Sequence, residues 1–201
     1  RYLAISTLLG CLLIAAALHF NPERMRRFTV YTNPEKYELT EGYQLWFSQL
    51  ALGSGGVSGL GFTNSRMKQF YLPEAHTDFI VAIVGEELGF VAVCCLIIVY
   101  TLLVTTICWI GGLAPDRQGA FLCIGIGLSI GIHAFINISV VSGFCPTTGV
   151  TAPFLSYGGS SMIASLLGVG LVLSVSRTAE EKADEKSKNE RFAMNFGPPE
   201  T

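Results

Sequence analysis

Residues 2–20 and 119–144 contain no Asp, Glu, Lys or Arg. About 20 apolar residues rising 1.5 Å each suffice to cross a hydrocarbon core of roughly 30 Å. Lipid offers backbone N–H and C=O groups no partners, so such runs must form helices that satisfy those groups internally. A third run, 79–113, is too long for one perpendicular helix and is interrupted by Glu86 and Glu87; its spacing predicts a span over 88–110 with the earlier turns at one membrane face. A fourth, 154–176, is weakened by Gly158 and Gly159 near its start. The chain has 201 residues, half of them hydrophobic and only 14% charged, with a mean hydropathy of +0.49, a balance foreign to soluble domains.

The expected fold is therefore an all-α integral membrane protein. Its membrane domain covers residues 1–178, with about four transmembrane helices (2–20, 79–113, 119–144, 154–176) and one large structured loop over 21–76. The mixed-charge tail 179–201 is expected to be solvated and poorly ordered. A signal peptide is disfavoured for the first run, since no small-x-small cleavage site precedes "NPERMRRF". The chain begins at Arg1 rather than Met, which suggests part of a longer polypeptide. Lys and Arg are nearly balanced between the two sides, so the positive-inside rule leaves orientation open. A net charge of −2 and the lack of a nucleic-acid motif argue against nucleic-acid binding. Five of the six cysteines lie in predicted spans and Cys145 lies just beyond one. None has metal-ligand spacing, and all read as small hydrophobes.

In the loop, Tyr43, Trp46, Phe47 and Leu50 fall at i, i+3, i+4 and i+7 of a short helix that "GSGG" at 53–56 would end. Core packing and interfacial anchoring both suit that stripe. The glycines of "GSGGVSGLGF" allow close backbone approaches, without any Walker pattern. In the span over 119–144 Gly127 and Gly131 are spaced G-x-x-x-G, and Gly125 adds to a small-residue face open to a neighbouring helix. His133 and Asn137 share a face at i, i+4, fit for interhelical hydrogen bonds or for function.

The stretch "YLPEAHTDFIVAIVGEELGFVAV" at 71–93 concentrates the chemistry. Pro73 and Glu74 suit a helix start, and Thr77 or Asp78 suits an N-cap. Glu86 and Glu87 need a polar cavity or an ion pair, since a charge at a span centre costs roughly 2.5 to 3.5 kcal/mol on insertion scales. Lys68, Arg66, Arg26 and Arg27 are available partners. Carboxylates at the mouth of a span, a basic glycine-rich loop and an aromatic helix describe a site for an amphiphile with an anionic head. One carboxylate there can serve as general base on a hydroxyl.

The long motifs "YQLWFSQLALGSGGVSGLGFTNSRMKQFYLPEAHTDFIVAIVGEELGF" and "PTTGVTAPFLSYGGSS" resemble the FtsW/RodA/SpoVE (SEDS) family of bacterial cell-wall polymerases over about residues 24–177. "PEAHTDFI" and "GEELG" look like its FtsW/SpoVE branch. Departures from the family's usual letters fall at Ser139, Thr148 and Ala152. The resemblance implies ten spans with cytoplasmic termini, of which these four are the seventh to tenth, with 21–76 as the external loop. It implies a multi-pass protein of the bacterial cytoplasmic membrane, acting at the division site with a class B penicillin-binding protein transpeptidase and other division proteins. The implied activity is a peptidoglycan glycosyltransferase that polymerises lipid II, an undecaprenyl-pyrophosphate disaccharide-pentapeptide. Asp78 falls on the family's proposed catalytic aspartate. Lys68 and Ser156, Tyr157, Gly158, Gly159, Ser160 and Ser161 fall on substrate-facing motifs, with Glu74, His76, Glu86 and Glu87 in support. No metal site is assigned, and the cofactor stays open, a divalent cation such as Mg2+ included. A lipid II flippase and a non-catalytic division scaffold are the alternatives.

Overall fold

The computed structural model describes residues 5, 7, 8, 10, 30–32, 34–37, 42–65 and 77–196. Among these residues there is no strand. A 3-10 turn at Pro34–Tyr37 precedes helices α1 (Tyr43–Gly55), α2 (Ile80–Leu113), α3 (Arg117–Val141) and α4 (Gly159–Phe196). Three helices, α2, α3 and α4 as far as Asn189, are long and apolar enough to cross a membrane. The all-helical membrane architecture expected from the sequence is therefore present. The expected span over 2–20 lies outside the described residues, save for Ile5, Thr7, Leu8 and Gly10, which are helical. The chain divides into two compact units, Arg1–Val91 with Ile136–Val150 and Ala92–Phe135 with Thr151–Thr201.

In the second unit Asp116 starts α3, its Oδ2 accepting the Gly119 N–H at 3.0 Å as an N-cap should. Ile107, Cys123, Ile130 and Val172 form its buried cluster. Lipid tails are as apolar as these side chains, so close approach and dispersion rather than water exclusion hold the helices together. The glycine pair supplies the approach: a Cβ at Gly127 would stand 3.1 Å from Ile107 Cγ2, and one at Gly131 would stand 3.4 Å from Val104 Cγ2. Gly125 has nothing within 4 Å of such a Cβ and takes no part in that face.

α4 continues beyond residue 178 to Phe196. On its surface Arg177 pairs with Glu181 at 3.0 Å and Lys188 with Asp184 at 2.8 Å, both at i, i+4.

In the first unit α1 buries Leu45, Ser48, Ala51 and Gly55, a narrow and mostly small-residue stripe. The aromatic stripe lies to its flank: Tyr43, Trp46 and Phe47 are half-buried and Leu50 is exposed. Tyr43 and Phe47 pair with ring centroids 4.3 Å apart. Small residues face inward because α1 runs close to α2, where a Cβ at Gly55 would overlap the Gly85 carbonyl.

The decisive local feature is a break inside α2. Gly89 adopts φ 79° and ψ −177°, a region essentially reserved for glycine. The glycine-rich segment after α1 takes up the peptide groups this break releases. Leu60 N–H donates to Glu86 O and Gly61 N–H to Glu87 O, each at 2.9 Å, while Phe90 N–H donates to Gly56 O at 2.9 Å and Val91 N–H to Val57 O at 3.4 Å. Gly59 also has a positive φ, and a Cβ there would overlap the Glu87 carbonyl.

Gly89→Ala should combine disfavoured backbone, of order 1–3 kcal/mol, with a Cβ driven into Val57 O and Gly59 N. A fall in melting temperature of the purified protein is the expected result. Gly53→Ala, inside α1 and meeting nothing within 4 Å, should not lower that temperature, since Ala favours the helix over Gly.

Candidate functional site

The turn at residues 77–79 leads into α2. Phe79 occupies the capping position, its carbonyl accepting from Ala82 N–H at 2.9 Å and Ile83 N–H at 3.4 Å. Asp78 thus stands one residue ahead of the cap and is half-buried. Its carboxylate faces residue 149: a Cβ on Gly149, whose φ is +70°, would sit 3.7 Å from Asp78 Oδ2, in ordinary van der Waals contact.

Asn137, on α3, ties the two sides of that arrangement together. Its Nδ2 donates to Asp78 O at 2.8 Å and to Val150 O at 2.7 Å, using both amide protons. The residue is 1% exposed, and its Oδ1 is buried without a hydrogen-bond partner. His133, one turn earlier, behaves differently. It is exposed, and its Nδ1 lies 2.7 Å from the Ser129 carbonyl of its own helix. Of the two polar residues on that sequence face, Asn137 alone reaches the Asp78 turn among the contacts described.

Glu86 and Glu87 lie just before the α2 break and are 1% and 6% exposed. Their carbonyls are the acceptors of the loop hydrogen bonds, and the Ser65 hydroxyl donates to the Glu86 carboxylate. Glu87 Oε1 is buried without a hydrogen-bond partner. Both are thus enclosed by protein. Lys68, Glu74 and His76, together with the basic partners expected for the glutamates, lie outside the described residues.

Residues 156–161 belong to the second unit. Ser156 is 3% exposed, and its Oγ accepts the Ala152 N–H at 2.8 Å, so this hydroxyl closes a turn instead of facing outward. Thr151 Oγ1 donates to Ser161 Oγ at 2.9 Å. Tyr157, Gly159 and Ser160 are exposed, and α4 begins at Gly159. The first N–H groups of a helix have no intrahelical acceptor, which leaves those of residues 159–161 as donors. Among the described residues no three His, Cys, Asp or Glu side chains converge on a metal position.

Sequence reasoning named Asn137 but gave it no partner. Its partners are two backbone carbonyls, which leave no side-chain signature; the signal available was a carboxamide inside an otherwise apolar span, where polar groups must be satisfied by protein.

Comparison with known proteins matches the profile of the FtsW/RodA/SpoVE cell cycle protein family to residues 1–181. The chain is 47% identical over 153 residues to a probable peptidoglycan glycosyltransferase FtsW from Geobacter sp. (strain M18), covering 76% of this chain and 42% of that protein. It is also 47% identical over 156 residues to stage V sporulation protein E of Bacillus subtilis (strain 168), covering 78% and 43% respectively. The chain thus spans less than half the length of these relatives. Among solved structures it is similar to a chain of a peptidoglycan synthase complex that coordinates polymerization and crosslinking, with a TM-score of 0.69 and 29% identity over 89% of this chain and 49% of that one. A mutant of the rod shape determining protein RodA from Thermus thermophilus matches with a TM-score of 0.52 and 36% identity, covering 64% and 39%.

The Ser65–Glu86 contact carries its own expectation. Ser65→Ala should strip a buried carboxylate of a donor and destabilise the fold by about 1–3 kcal/mol, read as a lower denaturation midpoint, whereas Ser54→Ala, a partly buried helical site, should cost less than half as much.

Proposed function

The chain belongs to the FtsW/RodA/SpoVE family of cell cycle proteins, and from that premise we propose that the protein containing it is a peptidoglycan glycosyltransferase of the bacterial cytoplasmic membrane with Asp78 as general base. The observation that carries this reading is the placement of Asp78: a half-buried carboxylate in the turn that opens α2, its peptide bound by Asn137 and its Oδ2 facing Gly149, where a side chain would reach it. A base must reach the proton it removes while its geometry is held. Asp78 combines partial exposure with a fixed backbone.

In the proposed reaction the Asp78 carboxylate takes the proton from the 4-hydroxyl of the acceptor sugar of lipid II. That oxygen forms the new glycosidic bond to the anomeric carbon of the donor. The bond from that carbon to the pyrophosphate oxygen breaks, and the lipid pyrophosphate leaves with the electron pair. Lys68 is the proposed point charge for Asp78 or for pyrophosphate. The first-turn N–H groups of residues 159–161 and the exposed Ser160 are donors of the kind an anionic group needs. Ser156 is better read as a turn-closing residue.

Crosslinking of the product would fall to a class B penicillin-binding protein transpeptidase, as the solved synthase complex suggests by analogy, and division is the proposed setting because an FtsW is among the relatives. A broken span with a buried, unpartnered carboxylate oxygen at Glu87 also suits lipid translocation, as in transporters with discontinuous helices. Vesicles loaded with labelled lipid II separate the readings, because a flippase moves lipid without forming polymer.

In the complete protein reconstituted with its transpeptidase, Asp78→Ala and Asp78→Asn should each lower lipid II polymerisation by at least about 10²-fold while the protein stays monodisperse and folded. Full-length glycan made at the wild-type rate by either variant would remove Asp78 from the mechanism.

A further inference from the structure

The geometry points to Asn137 as the residue that positions the Asp78 carboxylate, an inference that rests on Asp78 being the base. One carboxamide binds the backbone on both sides of that carboxylate. One N–H holds the carbonyl of Asp78 itself at 2.8 Å, and the other holds the carbonyl of Val150 at 2.7 Å. Val150 directly follows Gly149, where an added Cβ would come within 3.7 Å of Asp78 Oδ2. The backbone that carries the carboxylate and the backbone opposite it are therefore tied to one side chain, itself 1% exposed and carried by a membrane-spanning helix.

A shorter residue at 137 releases both carbonyls at once. Aspartate in its place is isosteric but presents acceptors to two acceptors, so it separates the loss of the donors from the loss of volume. Glutamine keeps both donors on a side chain one methylene longer. Asn137 touches no reacting atom in this scheme, and its effect passes through Asp78.

The test uses the complete protein in vesicles with its transpeptidase and follows kcat and KM for lipid II per folded molecule. Asn137→Ala and Asn137→Asp should lower kcat by about 10- to 100-fold, the scale expected from misplacing a catalytic group by about an ångström, with KM changed less than about 3-fold. Asn137→Gln should recover part of kcat. The acid limb of the kcat/KM–pH profile should move in Asn137→Ala, because the carboxylate's surroundings change; a residue that only supports the fold would lower the folded fraction and leave that limb in place.

Unchanged kcat in folded Asn137→Ala, a loss confined to KM, or an unmoved acid limb overturns the inference. If Asn137→Ala does not fold, Asn137→Gln and Asn137→Ser carry the same comparison. Activity retained in Asp78→Ala refutes the base assignment itself; activity lost there but retained at position 137 refutes the positioning role alone.

Discussion

At Gly89 α2 releases two carbonyls behind it and two N–H groups ahead of it, and residues 56–61 take up all four with their own backbone. In water each such exchange nets only about 1 kcal/mol. Where lipid replaces water the alternative is an unsatisfied peptide group costing several kcal/mol, so the break and the glycine-rich segment stand or fall together. The glycines follow from this pairing: strand-like contact at 56–61 against 86–91 leaves no room for a Cβ at Gly59 or Gly89. The small inward face of α1 has the same origin, since Gly55 meets Gly85 at equally short range.

The break also resolves the cost of two glutamates in an apolar run. Residues 90–113 amount to about 24 residues, or roughly 36 Å of helix, enough to cross the hydrocarbon core without the first turns of α2. Glu86 and Glu87 need not be at the depth where a charge is most expensive. Burial against residues 56–65 supplies Glu86 with the Ser65 hydroxyl and turns both residues into anchor points for the loop. A kink placed a turn later would carry the glutamates toward the centre of the span, and one placed a turn earlier would part them from the loop.

The spans of α2, α3 and α4 were legible from sequence because lipid imposes a simple rule on length and charge. The G-x-x-x-G face was legible for the same kind of reason, since close helix approach needs small residues at a fixed period; Gly127 and Gly131 obey it and Gly125, off the contact line, does not. The loop-to-break pairing was not legible. It joins segments about 30 residues apart through peptide groups, which any sequence possesses, and only the glycines hinted at it. The helical course of the tail to Phe196 was not legible from its composition, which is that of a solvated terminus; only the spacing of Arg177–Glu181 and Asp184–Lys188, one turn apart, carries a helical signal. Ser156 shows the limit of motif reading, because a motif names a serine without saying that its hydroxyl closes a turn on Ala152.

Three carboxylates in ten residues competed for the role of base, and access separates them. Glu86 is 1% exposed and engaged by Ser65; Glu87 is 6% exposed with its carbonyl committed to Gly61. Neither can approach a sugar hydroxyl without opening the loop that seals the α2 break, which would expose the peptide groups on both sides. Asp78 precedes the helix, is half-buried, and is held through its own carbonyl by Asn137, so it lies outside the loop that seals the break. A glutamate at the break can move only with the fold, whereas an aspartate in the preceding turn can act without disturbing it. That difference favours Asp78 as the acting carboxylate and the glutamates as part of the frame.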